Sequence, residues 1–116
     1  MKKNVVKEKS FNFALSIVRV YKILVSEKKE FVMSKQLLRS GTSVGAMIRE
    51  AEHAESRQDF IHKCSISLKE ANETDYWIDL LNQSGYLEND SFRKLKEDIT
   101  EILKLLTAII KSSKLK

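Results

Sequence analysis

The sequence has 116 residues, of which 42% are hydrophobic and 32% are charged, and its formal net charge is +5. This length fits one domain, residues 1–116, and no apolar run reaches the ~20 residues that a membrane-spanning helix needs. Proline is absent and only three glycines occur, so little interrupts long helices. We therefore predict a single all-α domain that works in the cytoplasm without a membrane partner.

The first predicted helix covers residues 10–26 and the second covers residues 34–55, with Ser34 as the N-cap of the second. In each segment, apolar residues recur at spacings of three and four, which places them on one helix face. In the first segment these residues are Phe11, Ala14, Leu15, Val18, Tyr21, Leu24 and Val25. In the second they are Leu37, Leu38, Val44, Ile48 and Ala51.

Two glycines interrupt the second predicted helix, although glycine costs about 1 kcal/mol relative to alanine in a helix interior. Gly41 and Gly45 are four residues apart and so share a helix face. Close backbone packing against a neighbouring helix is the interpretation that we favour. A phosphate-binding loop would need a lysine after the second glycine, and Ala46 stands there instead.

The third predicted helix covers residues 57–84 and the fourth covers residues 91–112. Ser56 to Asp59 has the pattern of a capping box, and Gly85 is suited to terminate the third helix. Apolar residues lie on more than one face of the third helix, and on the fourth they make one face that is wider than a single bundle needs. Both patterns favour packing against another subunit. On the third helix the apolar residues are Phe60, Cys64, Ile66, Leu68, Ala71, Trp77, Ile78 and Leu80. On the fourth they are Phe92, Leu95, Ile99, Ile102, Leu103, Leu105, Leu106, Ile109 and Ile110.

Charge is distributed unevenly, because both ends of the chain are basic and the middle is acidic. Short connections favour an up-down-up-down antiparallel four-helix bundle, which brings the two chain ends to one pole. The predicted nucleic-acid-binding residues are the lysines of these ends, although two solvated, frayed tails are an alternative. They are Lys2, Lys3, Lys7, Lys9, Lys111, Lys114 and Lys116.

No catalytic, metal or cofactor site is predicted. Glu50 and His53 have the Glu-x-x-His spacing of di-iron bundles, but such a site needs a second motif on another helix. His62 lies only a few residues further along, and Cys64 is most simply a core residue. Aromatic and basic residues are not interleaved along the chain as in proteins that stack bases.

A polar set on the second and third helices is predicted to form structural or subunit contacts. Arg39 is expected to pair across the helices with Glu70 or Glu73, and ligand recognition is the alternative. The full set comprises Arg39, Ser40, Gly41, Ser43, Gly45, Glu50, Glu70, Glu73 and Trp77.

These segments resemble the 23S rRNA intervening sequence protein family, also called four helix bundle proteins. The resemblance covers about residues 10–112 and is specific in the second and third helices. Its segments are Gln36 to Ala46, Glu50-Ala51, Asp59-Phe60, Lys63, Ser65, Leu68 to Ala71 and Glu73 to Trp77. One departure is Met47, where the family often has asparagine.

The resemblance implies a homopentameric barrel of four-helix bundles with a central channel and no catalytic residues. Some members are encoded inside intervening sequences of bacterial 23S rRNA genes. A related group, the accessory variability proteins of diversity-generating retroelements, binds reverse transcriptase and nucleic acid through a basic surface. We therefore expect a non-enzymatic homo-oligomer that binds RNA or DNA. The alternative is an interaction scaffold or accessory factor for a nucleic-acid enzyme such as a reverse transcriptase.

Overall fold

The computed structural model describes residues 2–115, with side chains described from Val5 to Leu115. Four α-helices form in this part of the chain, and no strand occurs within it. They are α1 (Lys2–Ser26), α2 (Met33–Ala51), α3 (Arg57–Gln83) and α4 (Asn89–Lys114). The chain is therefore all-helical, as predicted, and it measures 47 × 21 × 21 Å along its principal axes.

Helix α1 differs from its prediction in both its start and its buried face. It begins at Lys2 rather than near residue 10, because Val6 continues the buried face toward the N-terminus. Phe11 and Leu15, predicted to be core residues, are 51% and 43% exposed. The α1 residues that are buried are Val6, Ser10, Phe13, Ile17 and Leu24. Helix α1 thus carries two rows of apolar residues. The row that contains Ser10 faces the core, and the row that contains Phe11 and Leu15 faces outward.

Glu30 caps the start of α2, so the predicted N-cap at Ser34 is wrong. Its carboxylate accepts hydrogen bonds from the backbone N–H groups of Val32, Met33 and Ser34, at 3.1, 2.9 and 2.6 Å. The Ser34 hydroxyl instead donates to the Glu30 carbonyl at 2.7 Å. Burial raises the pKa of Glu30, but these N–H donors more than offset burial and hold that pKa below its ordinary value.

Helix α2 ends at Ala51 rather than near residue 55. Ala51 is its last buried residue, and Glu52 and His53, which follow it, are exposed, so no packing extends the helix. Ser56 caps the start of α3, as predicted, because its side-chain oxygen accepts a hydrogen bond from the backbone N–H of Asp59 at 3.0 Å.

Helix α3 ends in a Schellman motif, which confirms the role predicted for Gly85. Gly85 has a positive φ of 89°, and its N–H donates to the Asn82 carbonyl at 3.1 Å. The N–H of Tyr86 donates to the Leu81 carbonyl at 2.9 Å. Leu87 is buried just beyond this turn, which leads into α4 two residues before its predicted start at residue 91.

Each helix contacts the next one along the chain, and α1 also contacts α4. Between α2 and α3, for example, Lys63 pairs with Glu50 while Arg39 pairs with Glu70. The largest fully buried side chains form one core along the molecule. They are Phe13, Ile17, Leu24, Leu37, Val44, Thr74, Ile78, Leu81, Leu95, Ile99, Ile102 and Leu106.

The two ends of the molecule are built differently. We call the end that holds the turns at residues 27–32 and 84–88 the turn pole; there, Lys28 Nζ lies 2.9 Å from Glu88 Oε2 and joins the two turns. We call the other end, which holds the turn at residues 52–56, the start of α1 and the end of α4, the end pole. The end pole has its own small buried cluster of Ala51, Cys64 and Ile110.

Candidate nucleic-acid interface

The predicted pairing between α2 and α3 is present and involves both glutamates. Arg39 donates to Glu70 Oε1 at 3.2 Å and also to Glu73 Oε2. Trp77 Nε1 donates to the same Glu73 oxygen at 2.9 Å. The Trp77 hydrogen bond, followed by the Arg39 contact, holds the pKa of Glu73 below its ordinary value. Arg39 therefore joins α2 to α3 through both glutamates, and we call this cluster of Arg39, Glu70, Glu73 and Trp77 the clasp.

Hydroxyl groups complete the contact between α2 and α3 in the interior. The Thr74 hydroxyl donates to Ser40 Oγ at 2.9 Å, and both side chains are buried. Ser67 donates to the Val44 carbonyl at 2.8 Å. Ser43 donates to the carbonyl of Arg39 on its own helix. The two bonds between the helices therefore fix the alignment of α2 on α3, and each buried side-chain oxygen among these groups has a hydrogen-bond partner.

The two helix glycines allow α1 to pack closely on α2, as the spacing indicated. A Cβ atom at Gly41 would lie 2.9 Å from Ile17 Cγ1. A Cβ atom at Gly45 would lie 3.3 Å from the Ser10 carbonyl oxygen. Their neighbour is thus α1 of the same chain, and a role for them in subunit contacts stays a prediction.

The predicted lysines divide into three groups. Lys7 and Lys9 are partly neutralised, with their Nζ atoms 2.9 Å from Glu52 Oε1 and 3.2 Å from Glu101 Oε2. Lys111 and Lys114 are exposed near the end of α4. The side chains of Lys2 and Lys3, and the whole of Lys116, lie outside the described residues.

A cavity of about 1020 Å³ opens at the end pole. Val5 near the start of α1 and Ser113 near the end of α4 both line it, as do His53 and Phe60. The start of α1 and the end of α4 therefore lie around one opening. Cys64 also lines the cavity, and burial raises the pKa of its thiol, which makes the reactive thiolate scarcer at neutral pH.

A groove of about 640 Å³ between α1 and α2, called here the α1–α2 groove, was not predicted from the sequence. In it, the guanidinium carbon of Arg49 lies 5.6 Å from the centroid of the Phe11 ring. The two residues are far apart in the sequence, so their juxtaposition has no local sequence signal. The groove is lined by Lys7, Ser10, Phe11, Ala14, Thr42, Gly45, Ala46, Arg49, Glu50, His53 and Lys63.

The Glu-x-x-His pair lies on the surface near this groove. Glu50 and His53 are exposed, and Glu50 Oε1 accepts from Lys63 Nζ at 3.3 Å. Within residues 5–115, no three His, Cys, Asp or Glu side chains come together as a metal-binding group. Nor does any helix in the described part of the chain have the length and apolarity to cross a bilayer.

Comparison with known proteins shows similarity to a family model and to solved structures. The model of the 23S rRNA-intervening sequence protein family matches residues 2–108. A crystal structure of a protein of unknown function from the S23 ribosomal protein family of Bacteroides thetaiotaomicron is 61% identical, with a TM-score of 0.93. That match covers 96% of this chain and 99% of the other. No curated protein matches significantly. From the extent of the family match, this chain belongs to the 23S rRNA-intervening sequence protein family.

Proposed function

We propose that this protein is a non-catalytic homo-oligomer that binds RNA or another nucleic acid through a basic surface at the end pole. The observation that carries the proposal is the cavity at that pole, which Val5 near the start of α1 and Ser113 near the end of α4 both line, because lysines are frequent at both ends of the sequence. Lys111 and Lys114 are exposed there, and exposed lysines attract phosphates over a distance set by ionic strength.

Assembly would strengthen this surface. The resemblance to the family implies a homopentamer of up-down-up-down bundles, and the reverse residue order of the ion pairs between α2 and α3 supports that topology. Leu15 and Ile23 on α1, each 43% exposed, are apolar side chains of the kind that subunit contacts cover. Five copies of a chain with a net charge of +5 would carry five times that charge on one particle. We place its activity in the cytoplasm, without a membrane partner.

The test is RNA binding by the purified protein across a salt series, with the mass of the particle measured by light scattering. We expect binding of unstructured RNA at low ionic strength, a steep loss of affinity as salt rises, and a mass several times 13.4 kDa. A failure to bind either RNA or DNA at low ionic strength would overturn the nucleic-acid part. A monomeric mass would overturn the oligomer.

A second candidate function is an interaction scaffold or an accessory factor for a nucleic-acid enzyme such as a reverse transcriptase. Exposed apolar residues away from the basic pole favour it, above all Phe31 and Val32 in the α1–α2 turn, which are 58% and 74% exposed. Affinity purification with and without nuclease separates the two functions. Partners that remain after nuclease treatment support the scaffold, and partners that all disappear support nucleic-acid binding.

A further inference from the structure

The α1–α2 groove presents two flat groups, the guanidinium of Arg49 placed over the ring of Phe11. Phe11 is 51% exposed, and the Arg49 guanidinium lies near its ring. Aromatic rings and guanidinium planes are the surfaces on which proteins stack unpaired nucleobases. The fold thus brings together the aromatic and basic groups that are not interleaved along the sequence.

The charges around these two groups favour a phosphate-bearing ligand. Lys7, Arg49 and Lys63 line the groove, against a single carboxylate, Glu50. Among the side chains from Val5 to Leu115, no carboxylate lies within ion-pair distance of Arg49.

The two lysines of the groove have acidic partners that a phosphate can replace. Lys7 pairs with Glu52, and Lys63 pairs with Glu50, whose side chain is 56% exposed. Ion pairs at the protein surface contribute about 0–1 kcal/mol to stability. Replacing the carboxylate partner of a lysine with a phosphate therefore costs little free energy.

The groove also lies next to the basic end pole. His53 lines both the groove and the end-pole cavity, so the two openings are adjacent. A strand leaving the groove at His53 therefore reaches the pole at which α4 presents Lys111 and Lys114.

We propose that the α1–α2 groove holds single-stranded nucleic acid, with a base stacked on Phe11 and Arg49 and its phosphates at Lys7 and Lys63. This inference rests on the proposed nucleic-acid function and names its binding site. A duplex keeps its bases inside its own stack, so the groove selects single strands. Phe11 and Leu15 by themselves could equally contact a second copy of this chain. The excess of cations at the groove favours a polyanion instead.

The experiment measures the anisotropy of fluorescein-labelled oligouridine, and of an RNA duplex of equal length, at several salt concentrations. For Phe11→Ala we expect about tenfold weaker binding of the single strand, since stacking on an aromatic side chain is lost. For Arg49→Ala we expect a similar loss and a salt slope smaller by about one. Arg49→Lys keeps the charge, so it retains the slope but not the full affinity.

Two matched controls separate the groove from the surface in general. Phe31→Ala removes an aromatic ring that is 58% exposed at the turn pole. Arg19→Ala removes an exposed guanidinium on the other side of α1, hydrogen-bonded to Ser16. Both controls are expected to bind oligouridine like the wild type. Circular dichroism and light scattering on every variant report folding and mass.

The outcomes are distinct. Wild-type binding that Phe11→Ala and Arg49→Ala leave unchanged overturns the groove while leaving the proposed function standing. No binding by the wild type at low ionic strength overturns the proposed function itself. Loss of binding together with a fall in particle mass would show that Phe11 lies in a subunit contact. This result would also overturn the proposal that the groove binds nucleic acid. An equal loss of oligouridine affinity in Phe31→Ala and Arg19→Ala would overturn the proposed groove site as well.

Discussion

The turn pole and the end pole differ in the number of turns that join helices and in the size of the opening between the helices. At the turn pole, Glu30 caps α2, Gly85 closes α3, and Leu87 is buried beneath the second turn. At the end pole, only one turn joins two helices, a cavity of about 1020 Å³ is open, and the buried cluster is small.

This difference suggests a division of labour between the two ends of the bundle. Two turns, the cap by Glu30 and the buried Leu87 lead us to expect that the turn pole contributes more of the stability than the end pole. The end pole combines an open cavity with basic helix ends, and it borders the α1–α2 groove. Substitutions at the turn pole should therefore cost mostly stability, and those near the end pole mostly binding.

The largest effect is expected from shortening core side chains at the two poles. Leu81 is fully buried near the turn pole, and Leu81→Ala should lower the free energy of unfolding by about 3–5 kcal/mol. Ile110 is 9% exposed in the small end-pole cluster, and Ile110→Ala should cost only about 2 kcal/mol. Urea denaturation at a fixed protein concentration measures both, and equal costs would contradict the comparison.

Removing the Glu30 cap should have the next largest effect. Glu30→Ala leaves three backbone N–H groups without their acceptor, at a cost of about 1–2 kcal/mol. Since the folded-state pKa of Glu30 is lowered, its contribution is present above its unfolded pKa of about 4.3 and is lost as the pH falls through the folded pKa. Thermal melts from neutral to acid pH should show the wild type and variant converging. The matched control Glu27→Ala, an exposed carboxylate beside the same turn, should show no such convergence.

A smaller loss is expected at the other turn of the same pole. Gly85→Ala places a Cβ atom on a backbone with a φ of 89°, at a cost of about 1 kcal/mol. No neighbouring atom obstructs that Cβ, so the cost reflects conformation alone. Chemical denaturation measures the loss, with Gln83→Ala as a control on the last residue of α3. An unchanged midpoint for Gly85→Ala would contradict the Schellman assignment.

The smallest effect on stability is expected beside the end pole. Glu50→Ala removes an exposed ion pair with Lys63 and should cost under about 0.5 kcal/mol. The same change leaves Lys63 available to phosphate, so oligouridine should bind more tightly at low salt. Anisotropy titration and a thermal melt measure the two effects, with exposed Glu97 on α4 as the control site for Glu97→Ala. A loss of several kcal/mol without tighter binding would place Glu50 in the stabilising framework instead.

Much of α2, α3 and α4 was predictable, because individual residues with clear local preferences mark where these helices begin or end. Gly85 and Ser56 mark helix ends through local backbone chemistry, which the sequence shows directly. The pairing of Arg39 with Glu70 and Glu73 followed from charge and the expected neighbourhood of α2 and α3.

Predictions failed where two local patterns compete. Helix α1 has two apolar stripes, and periodicity cannot say which one faces the core; Phe13 and Ile17 face it, and Phe11 and Leu15 do not. At the start of α2, the longer Glu30 side chain takes the capping role from Ser34. The α1–α2 groove was missed for another reason, since it depends on helix packing and not on neighbours in sequence.

The clasp between α2 and α3 also gives the protein an intrinsic fluorescent probe of its own folding. Trp77 is the only tryptophan in the chain, its indole N–H donates to Glu73, and the ring of Tyr76 stands edge-on to it at 5.0 Å. Indole emission responds to hydrogen bonding and to nearby charge. The intrinsic fluorescence of the unlabelled protein therefore tracks whether α2 and α3 remain joined, while the groove that we assign to nucleic acid contains no tryptophan to confuse the signal.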